Sequence, residues 1–386
     1  MPFCARKCPY CDFNTYAVSK VPEDEYVAAL IKELNLYRHD PKFYKRQVRT
    51  VFFGGGTPSI LSDASISRII DSINQCFGIA PEAEITLEAN PNDADKDKLE
   101  GFKRGGVNRL SFGAQSFDSK ALAFLGRDHK PEDVIQAVES SISVGLDNIS
   151  VDIIYGLPDQ SISALEEDLR AALALPITHL STYSLTIEPG TPFYQRQERG
   201  FLKMPPDSRV AKMLDFIPAF LESRGLFRYE ISNFSKPGRE SAHNLVYWSG
   251  GDYLGLGAGA HSYCGEYQAD EGGDSVLISA KRWSNLALPA SYVEKISLQG
   301  DVLAWREQLL QKDLHFEFFY LGMRKIAGVS EEQFLKRFGF AIPEGIVSAL
   351  NELVNSGFVV REGDIIRLSA EGISLADSVF ERLAGA

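Results

Sequence analysis

The sequence has no apolar run near the roughly 18 residues needed to cross a bilayer. Its first residues, MPFCARKC, contain no apolar stretch long enough for a secretory signal peptide. Basic residues are in deficit, because 40 Lys and Arg stand against 52 Asp and Glu, which gives a formal net charge of −12. This balance argues against the broad cationic surface that nucleic acid requires. We therefore expect a cytoplasmic protein with no nucleic-acid partner.

Cysteine is also scarce, with five among 386 residues, yet three of the five lie within eight positions as Cys4, Cys8 and Cys11. A reducing cytosol disfavours disulfides, so such a cluster indicates metal binding or catalysis. Cys76 and Cys264 stand alone in the sequence, and we predict that each is a buried structural thiol.

The three clustered cysteines form a C-x3-C-x2-C motif. Structural zinc normally has four protein ligands, and the next candidate ligand along the chain is His39. Zinc with one distant ligand therefore stays open as an alternative. Three thiolates suit a 4Fe–4S cluster better, because cysteine sulfur binds iron of this kind and one iron is left open for a small molecule.

Apolar, β-rich runs alternate with amphipathic helical stretches along the first 225 residues. The predicted strands are Val48–Phe53, Glu84–Glu88, Arg109–Phe112, Ile149–Ile154 and Leu180–Leu185. The predicted helices include Asp63–Cys76, Asp95–Arg104, Pro131–Val144, Ala164–Leu175 and Asp207–Ser223. This alternation is typical of βαβ units in an α/β fold with a parallel sheet. Such a series closes into a full or partial barrel, with its active site at the carboxyl ends of the strands.

Several motifs, taken together, resemble the coproporphyrinogen-oxidase-like branch of the radical S-adenosylmethionine (SAM) superfamily over essentially the whole chain. They are Pro2–Phe13, Phe53–Ser59, Gly126–His129, Ile153–Pro158 and His243–Trp248. The resemblance implies a 4Fe–4S cluster on Cys4, Cys8 and Cys11, with SAM on the open iron. It also implies a set of residues that line the SAM site: Tyr10, Gly55, Gly56, Thr57, Glu88, Gln115, Arg127 and Asp152, with Ser184 and His261 as less close matches.

Two members of this branch differ in activity. The oxygen-independent coproporphyrinogen III oxidase decarboxylates porphyrinogen propionates and carries an extra cysteine two positions after the third cluster cysteine, where this sequence has Phe13. The H-N-x-x-Y-W motif, formed here by His243, Asn244, Tyr247 and Trp248, resembles that of the branch's heme chaperones. A radical SAM methyltransferase would explain the cysteines but not this motif.

The resemblance therefore implies that the four motif residues handle heme. In the favoured interpretation the protein has no oxidase activity, and the oxidase is the alternative. Two roles stay open for His243, because a histidine among aromatic residues is most often packed, while imidazole is also a common ligand of heme iron. The implied partners are heme and acceptor hemoproteins, membrane respiratory enzymes among them, and a homodimer is one expected assembly.

Relatives of this kind usually place a strand, with a Tyr that contacts SAM, before the Pro-Phe-Cys segment. Here Met1-Pro2-Phe3 leads directly into the cysteine loop. We therefore expect a partial radical SAM (β/α) barrel in which the first strand is missing, with an exposed sheet edge. Two interpretations follow: an upstream extension of about ten residues in a β-rich run supplies the strand, or the site of this copy is impaired.

The chain is predicted to contain three regions. They are a radical SAM core (1–225), an extension (226–300) that contains the H-N-x-x-Y-W motif and an irregular connection over 266–300, and a winged-helix-like C-terminal domain (301–386). In the last region, helical patterns precede a short hairpin around Glu362–Asp364. Its predicted recognition helix, at about 343–357, contains Glu344 and Glu352 and no Lys or Arg, which favours docking or scaffolding over nucleic-acid binding.

Overall fold

A curved sheet of five parallel strands, extended by two antiparallel strands, forms the frame of the molecule. The computed structural model describes residues 1–44, 46–269, 273–298 and 300–385. The strands are β1 (Phe3–Cys4), β2 (Tyr16–Ala17), β3 (Val48–Phe53), β4 (Ile79–Ala89), β5 (Arg109–Gln115), β6 (Ile149–Tyr155), β7 (His179–Ser184), β8 (Phe227–Arg228), β9 (Asn233–Ser235), β10 (His261–Ala269), β11 (Ser275–Asn285), β12 (Leu303–Leu309), β13 (Val329–Ser330), β14 (Val359–Glu362) and β15 (Ile365–Leu368).

Some of the helices connect the parallel strands, and the later ones belong to the extension and to the C-terminal region. They are α1 (Glu23–Tyr37), α2 (Asp63–Phe77), α3 (Lys96–Arg104), α4 (Ser119–Leu125), α5 (Pro131–Ser143), α6 (Ile162–Leu173), α7 (Pro192–Glu198), α8 (Asp207–Glu222), α9 (Ala242–Trp248), α10 (Pro289–Ser297), α11 (Gln311–Gly322), α12 (Glu331–Phe338), α13 (Glu344–Asn355), α14 (Ala370–Ser374) and α15 (Ala376–Ala384). No helix in the described part of the chain is long and apolar enough to cross a membrane.

The main sheet has the strand order β3-β4-β5-β6-β7-β9-β8, in which the first five strands run parallel. This confirms the predicted α/β class and the partial barrel, and each of the five predicted strands is present. The largest difference is at β4, which begins at Ile79 instead of Glu84. The sheet begins at β3, which pairs with β4 on one side and with no other strand of the described residues along Val48–Phe53.

The expectation of an irregular connection over 266–300 is wrong for the described part of that range. Strands β10 and β11 form an antiparallel hairpin there, and helix α10 follows. The hairpin escaped the sequence analysis because buried and exposed positions do not alternate along its strands and because the register shifts between Glu266 and Tyr267. Residues 270–272 and 299 lie outside the described residues.

Strand β12 pairs with β11, so this second sheet crosses the predicted boundary at residue 301, where a helical pattern was expected. The C-terminal region that follows has helices α11 to α15 around the small antiparallel sheet β13-β15-β14, which matches the predicted winged-helix-like module. Helix α13 buries Ile346, Leu350 and Leu353 in a core of its own. This core is separate from the one that lies under the parallel sheet.

A buried carboxylate joins the extension to the first helix. Glu33 of α1 is fully buried and accepts hydrogen bonds from the Gly257 amide (2.8 Å), the Tyr292 hydroxyl (2.6 Å) and the Asn285 side chain (2.6 Å). Burial raises the pKa of Glu33 above its usual range. Because three donors converge on it, the segment around Gly257 is held beside α1, across from the edge of β3.

Candidate functional site

The three clustered cysteines lie on one loop that begins at β1, and each thiol contacts a different residue. The Thr57 hydroxyl donates to Cys4 Sγ (3.4 Å), and Arg127 Nη1 donates to Cys8 Sγ (3.7 Å). Cys11 Sγ lies 3.9 Å from the Thr15 hydroxyl. Cys4 is buried, and this burial raises the pKa of its thiol.

The three thiols are not arranged around a single point. No group of three or more His, Cys, Asp or Glu side chains within the described ranges could hold one metal ion. A 4Fe–4S cluster is bound by separate thiolates on different irons, so its ligands need not meet at one ion. The arrangement therefore fits the predicted cluster better than the zinc alternative, which requires a closed tetrahedron.

The glycine triplet after β3 makes room for the start of the chain. A Cβ on Gly56 would lie 2.5 Å from the Phe3 carbonyl oxygen, and Gly55 has φ +107°. The Gly56 amide donates to the Met1 carbonyl (2.6 Å), and the Thr57 amide donates to the Phe3 carbonyl (2.8 Å). The triplet thus lets the backbone before the cysteine loop run against the carboxyl end of β3.

The two carboxylates that were predicted to line the SAM site lie close to each other, toward the carboxyl ends of the strands. Glu88 of β4 accepts a hydrogen bond from the Gly55 amide (3.1 Å), and the Ser111 hydroxyl donates to Asp152 of β6 (3.3 Å). Burial, and then the charge of Asp152, raise the pKa of Glu88 to about 7. Burial also raises the pKa of Asp152. The pair therefore favours a cation beside it, which would stabilise both ionised forms.

Arg127 connects the cysteine loop to the sheet. Besides Cys8, its guanidinium donates to the Gly113 carbonyl (2.8 Å) and to Asn90 Oδ1 (3.4 Å). It follows Gly126, which has φ +71° and whose added Cβ would lie 2.6 Å from Pro9. The Gly-Arg pair therefore combines close packing on the cysteine loop with a fixed positive charge beside it.

The other predicted SAM-site residues divide into two groups. Tyr10 lies in the cysteine loop, where burial and the neighbouring Cys8 raise its pKa. Gln115 ends β5 with φ +67°, a conformation that is costly for a residue with a side chain and is often found at functional sites. Ser184 is exposed at the end of β7, and the exposed His261 packs edge-on against Trp305 (6.0 Å between rings) and lines one cavity together with Met1 and Gly55.

The H-N-x-x-Y-W motif forms helix α9, which packs against β3 and β4. Glu84 of β4 accepts hydrogen bonds from the amides of Ala242 and His243 (both 3.0 Å), and the negative side chain suits the amino end of a helix. Glu84 and Glu88 are four residues apart on one strand, so both face the same side of the sheet, about 13 Å apart. The motif therefore lies on the inner face of the half-barrel, toward the amino ends of its strands.

Both nitrogens of the His243 ring are occupied. Nδ1 lies 2.9 Å from the Thr50 hydroxyl, Nε2 lies 3.0 Å from the Tyr247 hydroxyl, and the ring stacks on Phe52 (4.9 Å). Burial, and then the charge of Arg109, lower the pKa of His243 to about 4, so the ring is neutral at pH 7. In this conformation His243 is a packed residue, and iron ligation requires one of the two contacts to break.

The remaining motif residues face different neighbours. Asn244 is half-buried, and its backbone amide donates to the helix-capping Ser241 hydroxyl (3.3 Å). The Trp248 ring lies 5.3 Å from the Arg324 guanidinium, and its buried Nε1 has no hydrogen-bond partner within the part of the chain that the structure describes. A buried donor without a partner is uncommon in folded proteins and is available to a ligand or to a water.

The sequence analysis missed Glu84 and Arg109, which form a buried ion pair (3.9 Å) under the motif helix. Their signal was present in the sequence. Each is a charged residue in or at the start of a predicted strand of the main sheet, and charges are seldom buried without a partner.

Comparison with known proteins identifies the family. A model described as the radical SAM superfamily matches residues 1–172, and one described as the HemN C-terminal domain matches residues 309–375. The chain resembles the structure of coproporphyrinogen III oxidase (HemN) from Escherichia coli in fold, with a TM-score of 0.83 at 22% identity, over 100% of this chain and 88% of that one.

Two curated relatives are similar over nearly their whole length. The heme chaperone HemW of Bacillus subtilis is 36% identical over 386 residues, which cover 100% of this chain and 98% of the relative. The heme chaperone HemW of Escherichia coli is 34% identical over 383 residues, which cover 99% of this chain and 95% of the relative. This chain belongs to the HemW family of the radical SAM superfamily.

Proposed function

We propose that this protein is a heme chaperone, which binds heme and transfers it to acceptor hemoproteins. The observation that carries the proposal is the H-N-x-x-Y-W helix, which packs on the inner face of the same half-barrel that carries the cysteine loop. Two of the similar proteins bear the name heme chaperone. A cytoplasmic location, acceptors that include membrane respiratory enzymes, and a homodimer belong to the same proposal.

Membership of the radical SAM superfamily implies a 4Fe–4S cluster and SAM as cofactors. Cys4, Cys8 and Cys11 are the residues that would hold the cluster, which leaves one iron open for SAM. When bound, the cluster supplies single-electron chemistry to SAM. Thr57 and Arg127 hold two of the thiols in place through the contacts described above.

The proposed SAM contacts are the residues that the fold collects around this loop. They are Tyr10, Gly55, Gly56, Thr57, Glu88, Gln115, Arg127 and Asp152. Glu88 and Asp152 contribute most clearly, because each has a raised pKa and would be stabilised as a carboxylate by the positive sulfonium of SAM. Ser184, at the end of β7, and His261, which lines one cavity with Gly55, belong to the same proposal.

Heme binding is proposed to begin with opening of the network around His243. The aromatic faces of Tyr247 and Trp248 supply apolar area for a porphyrin. The imidazole is already neutral, as an iron ligand must be. Release of Nε2 from the Tyr247 hydroxyl would then expose the nitrogen that coordinates iron.

The test is a paired assay on anaerobically reconstituted protein. Heme is titrated while the Soret band is followed, and propionate decarboxylation is measured with SAM and a reductant. We expect saturable heme binding, no vinyl-group formation, and transfer of heme to an added apo-hemoprotein. His243→Ala should weaken heme binding about tenfold, whereas the surface variant His39→Ala should bind heme as the unaltered chain does.

The coproporphyrinogen III oxidase alternative makes the opposite prediction. Sustained vinyl-group formation over many turnovers, without saturable heme binding, would assign the protein to the oxidase. The fold likeness to that enzyme does not separate the two activities, because one fold supports both.

A further inference from the structure

Strand β5 ends in a backbone turn that is rare for a residue with a side chain. Gln115 has φ +67°, and across it the Ser116 amide donates to the Ala114 carbonyl (2.9 Å). A positive φ spanned by this bond is the pattern of the strained form of the γ-turn. Asp159 is the only other non-glycine residue of the described chain with a positive φ, and aspartate tolerates that conformation better than glutamine. We call residues 113–117 the Gln115 turn.

The turn fixes where the Gln115 side chain lies. Strand β5 has one residue more than β6 across a register shift at this point, so the turn includes a bulge. A Cβ on Gly113 would lie 2.9 Å from Gln115 Nε2 and 3.5 Å from Arg127 Nη2. The Gln115 amide therefore folds over Gly113 and lies beside the guanidinium that also contacts Cys8.

Two donors hold the carbonyls on the amino side of the Gln115 turn. Arg127 Nη2 donates to the Gly113 carbonyl (2.8 Å), and His129 Nε2 donates to the Ala114 carbonyl (2.9 Å). A carbonyl can only accept, so the ring proton of His129 is on Nε2. Burial lowers the pKa of His129 to about 4, and the ring is therefore neutral at pH 7.

A single buried carboxylate holds the carboxyl side of the turn. Asp168 of α6 accepts hydrogen bonds from the Ser116 hydroxyl (2.9 Å to each oxygen) and from the Phe117 amide (2.5 Å). Burial raises the pKa of Asp168 to about 6, and these bonds act in the opposite direction.

An ordinary cap differs from this arrangement. Asp118, for example, is exposed and accepts hydrogen bonds from the amides of Lys120 and Ala121, which are its own neighbours at the start of α4. Asp168 instead comes from a different element, and its bonds end on the two residues directly after the strained one. Its contacts therefore fix the backbone conformation of Gln115.

We propose that Asp168 is a positioning residue for SAM, which acts through Gln115 by holding the Gln115 turn in its strained conformation. Strained backbone persists only where its surroundings over-determine it. Without the carboxylate, the Phe117 amide and the Ser116 hydroxyl lose their acceptor, and the turn relaxes and moves the Gln115 amide away from Arg127. This inference rests on the SAM contact proposed above for Gln115, and not on heme binding.

The experiment measures SAM affinity by calorimetry on anaerobically reconstituted protein. Asp168→Ala should weaken SAM binding about tenfold. Asp168→Asn keeps one oxygen as acceptor and should bind SAM within about twofold of the unaltered chain. Asp118→Ala is the matched control, because it removes a cap close to the turn without touching the turn, and it should also stay within about twofold.

A milder variant gives the same test with a smaller change in packing. Ser116→Ala removes the hydroxyl but keeps the bond between Asp168 and the Phe117 amide. We expect it to weaken SAM binding about threefold, between the unaltered chain and Asp168→Ala.

A double-mutant cycle tests whether Asp168 acts through Gln115. Gln115→Gly should by itself weaken SAM binding, because it removes the proposed contact. Since glycine adopts φ +67° without strain, the turn of this variant needs no holding. Asp168→Ala added to Gln115→Gly should therefore weaken SAM binding by less than about twofold more.

A second readout needs no SAM. Hydrogen exchange of the Ser116 and Phe117 amides should be at least about tenfold faster in Asp168→Ala than in the unaltered chain, because the turn opens more often. In Asp118→Ala the exchange of these two amides should be unchanged.

Four results would overturn the proposal. Asp168→Ala weakens SAM binding equally in the unaltered chain and in Gln115→Gly, which would show that Asp168 does not act through the turn. Asp168→Ala and Asp118→Ala weaken it equally, which would show a general loss of stability. Gln115→Gly weakens it but Asp168→Ala does not, which overturns the positioning role alone. Gln115→Gly binds SAM as the unaltered chain does, which overturns the proposed Gln115 contact and the positioning role together.

Discussion

Two ends of one sheet face carry the two proposed sites of this protein, and they differ in the state of their ionisable groups. At the carboxyl end, Glu88 and Asp152 share a partly buried space, and both have raised pKa values. At the amino end, the ring nitrogens of His243 and the carboxylate of Glu84 all have hydrogen-bond partners. The raised pKa values at the first end favour a cationic ligand there, whereas at the second end both ring nitrogens of His243 are occupied, and a ligand can reach them only if a hydrogen bond breaks.

The largest expected effect tests the carboxyl end. Cys8→Ala should remove nearly all iron and acid-labile sulfide after anaerobic reconstitution, because a 4Fe–4S cluster with two protein thiolates is poorly held. Cys76→Ala is the control, since Cys76 is half-buried and its thiol contacts Asn35 (3.6 Å) far along the chain from the cysteine loop. One zinc per chain without labile sulfide would contradict the assignment.

The next effect tests whether Glu84 stabilises helix α9 at the amino end of the sheet. Glu84→Ala removes two hydrogen bonds to α9 and leaves Arg109 buried without its ion-pair partner. We expect the free energy of unfolding to fall by about 3 kcal/mol. Glu82→Ala, an exposed position on the same strand, should change it by less than about 0.5 kcal/mol. Equal effects of the two variants in urea denaturation would show that the cap and ion pair contribute little.

A smaller effect tests whether the hydrogen bonds around His243 must break before heme binds. Tyr247→Phe keeps the aromatic face and removes the hydroxyl that occupies His243 Nε2 (3.0 Å). Because a hydrogen bond of this kind contributes about 1 kcal/mol, heme affinity should rise about fivefold in a Soret titration. Weaker binding by this variant would instead mean that the hydroxyl itself contacts heme.

The smallest effect concerns pH at the carboxyl end. The pKa of Glu88 is raised to about 7, so the side chain is protonated below that pH and ionised above it. A cationic ligand favours the ionised form, and SAM affinity should therefore increase about threefold or more from about pH 6 to about pH 8.

Glu88→Gln supplies the control for this pH dependence. The Met1 amino group, with a pKa of about 6, titrates in the same region and loses its positive charge in the same direction. The part of the pH dependence of SAM affinity that is lost in Glu88→Gln is therefore due to the titration of Glu88. A profile unchanged by the variant would assign the effect to Met1 or Asp152.

Sequence reasoning worked best where the signal was local. The βα alternation predicted all five parallel strands, because hydrophobic periodicity and turn residues act over a few positions. It failed over β10 to β12, where buried and exposed positions do not alternate and a bulge shifts the register of the hairpin. The contacts of the candidate residues with SAM stay a prediction.

The sequence by itself determined the cysteine loop and the order of the five parallel strands with the helices between them, since spacing along the chain sets both. Only the tertiary structure decided that Glu84 caps the H-N-x-x-Y-W helix and that Thr50 and Tyr247 occupy His243. Residues 50 and 243 are 193 positions apart, and no local pattern encodes their contact. The contact forms because the folded sheet places Glu84 at the start of helix α9, where the unpaired backbone amides favour a negative charge.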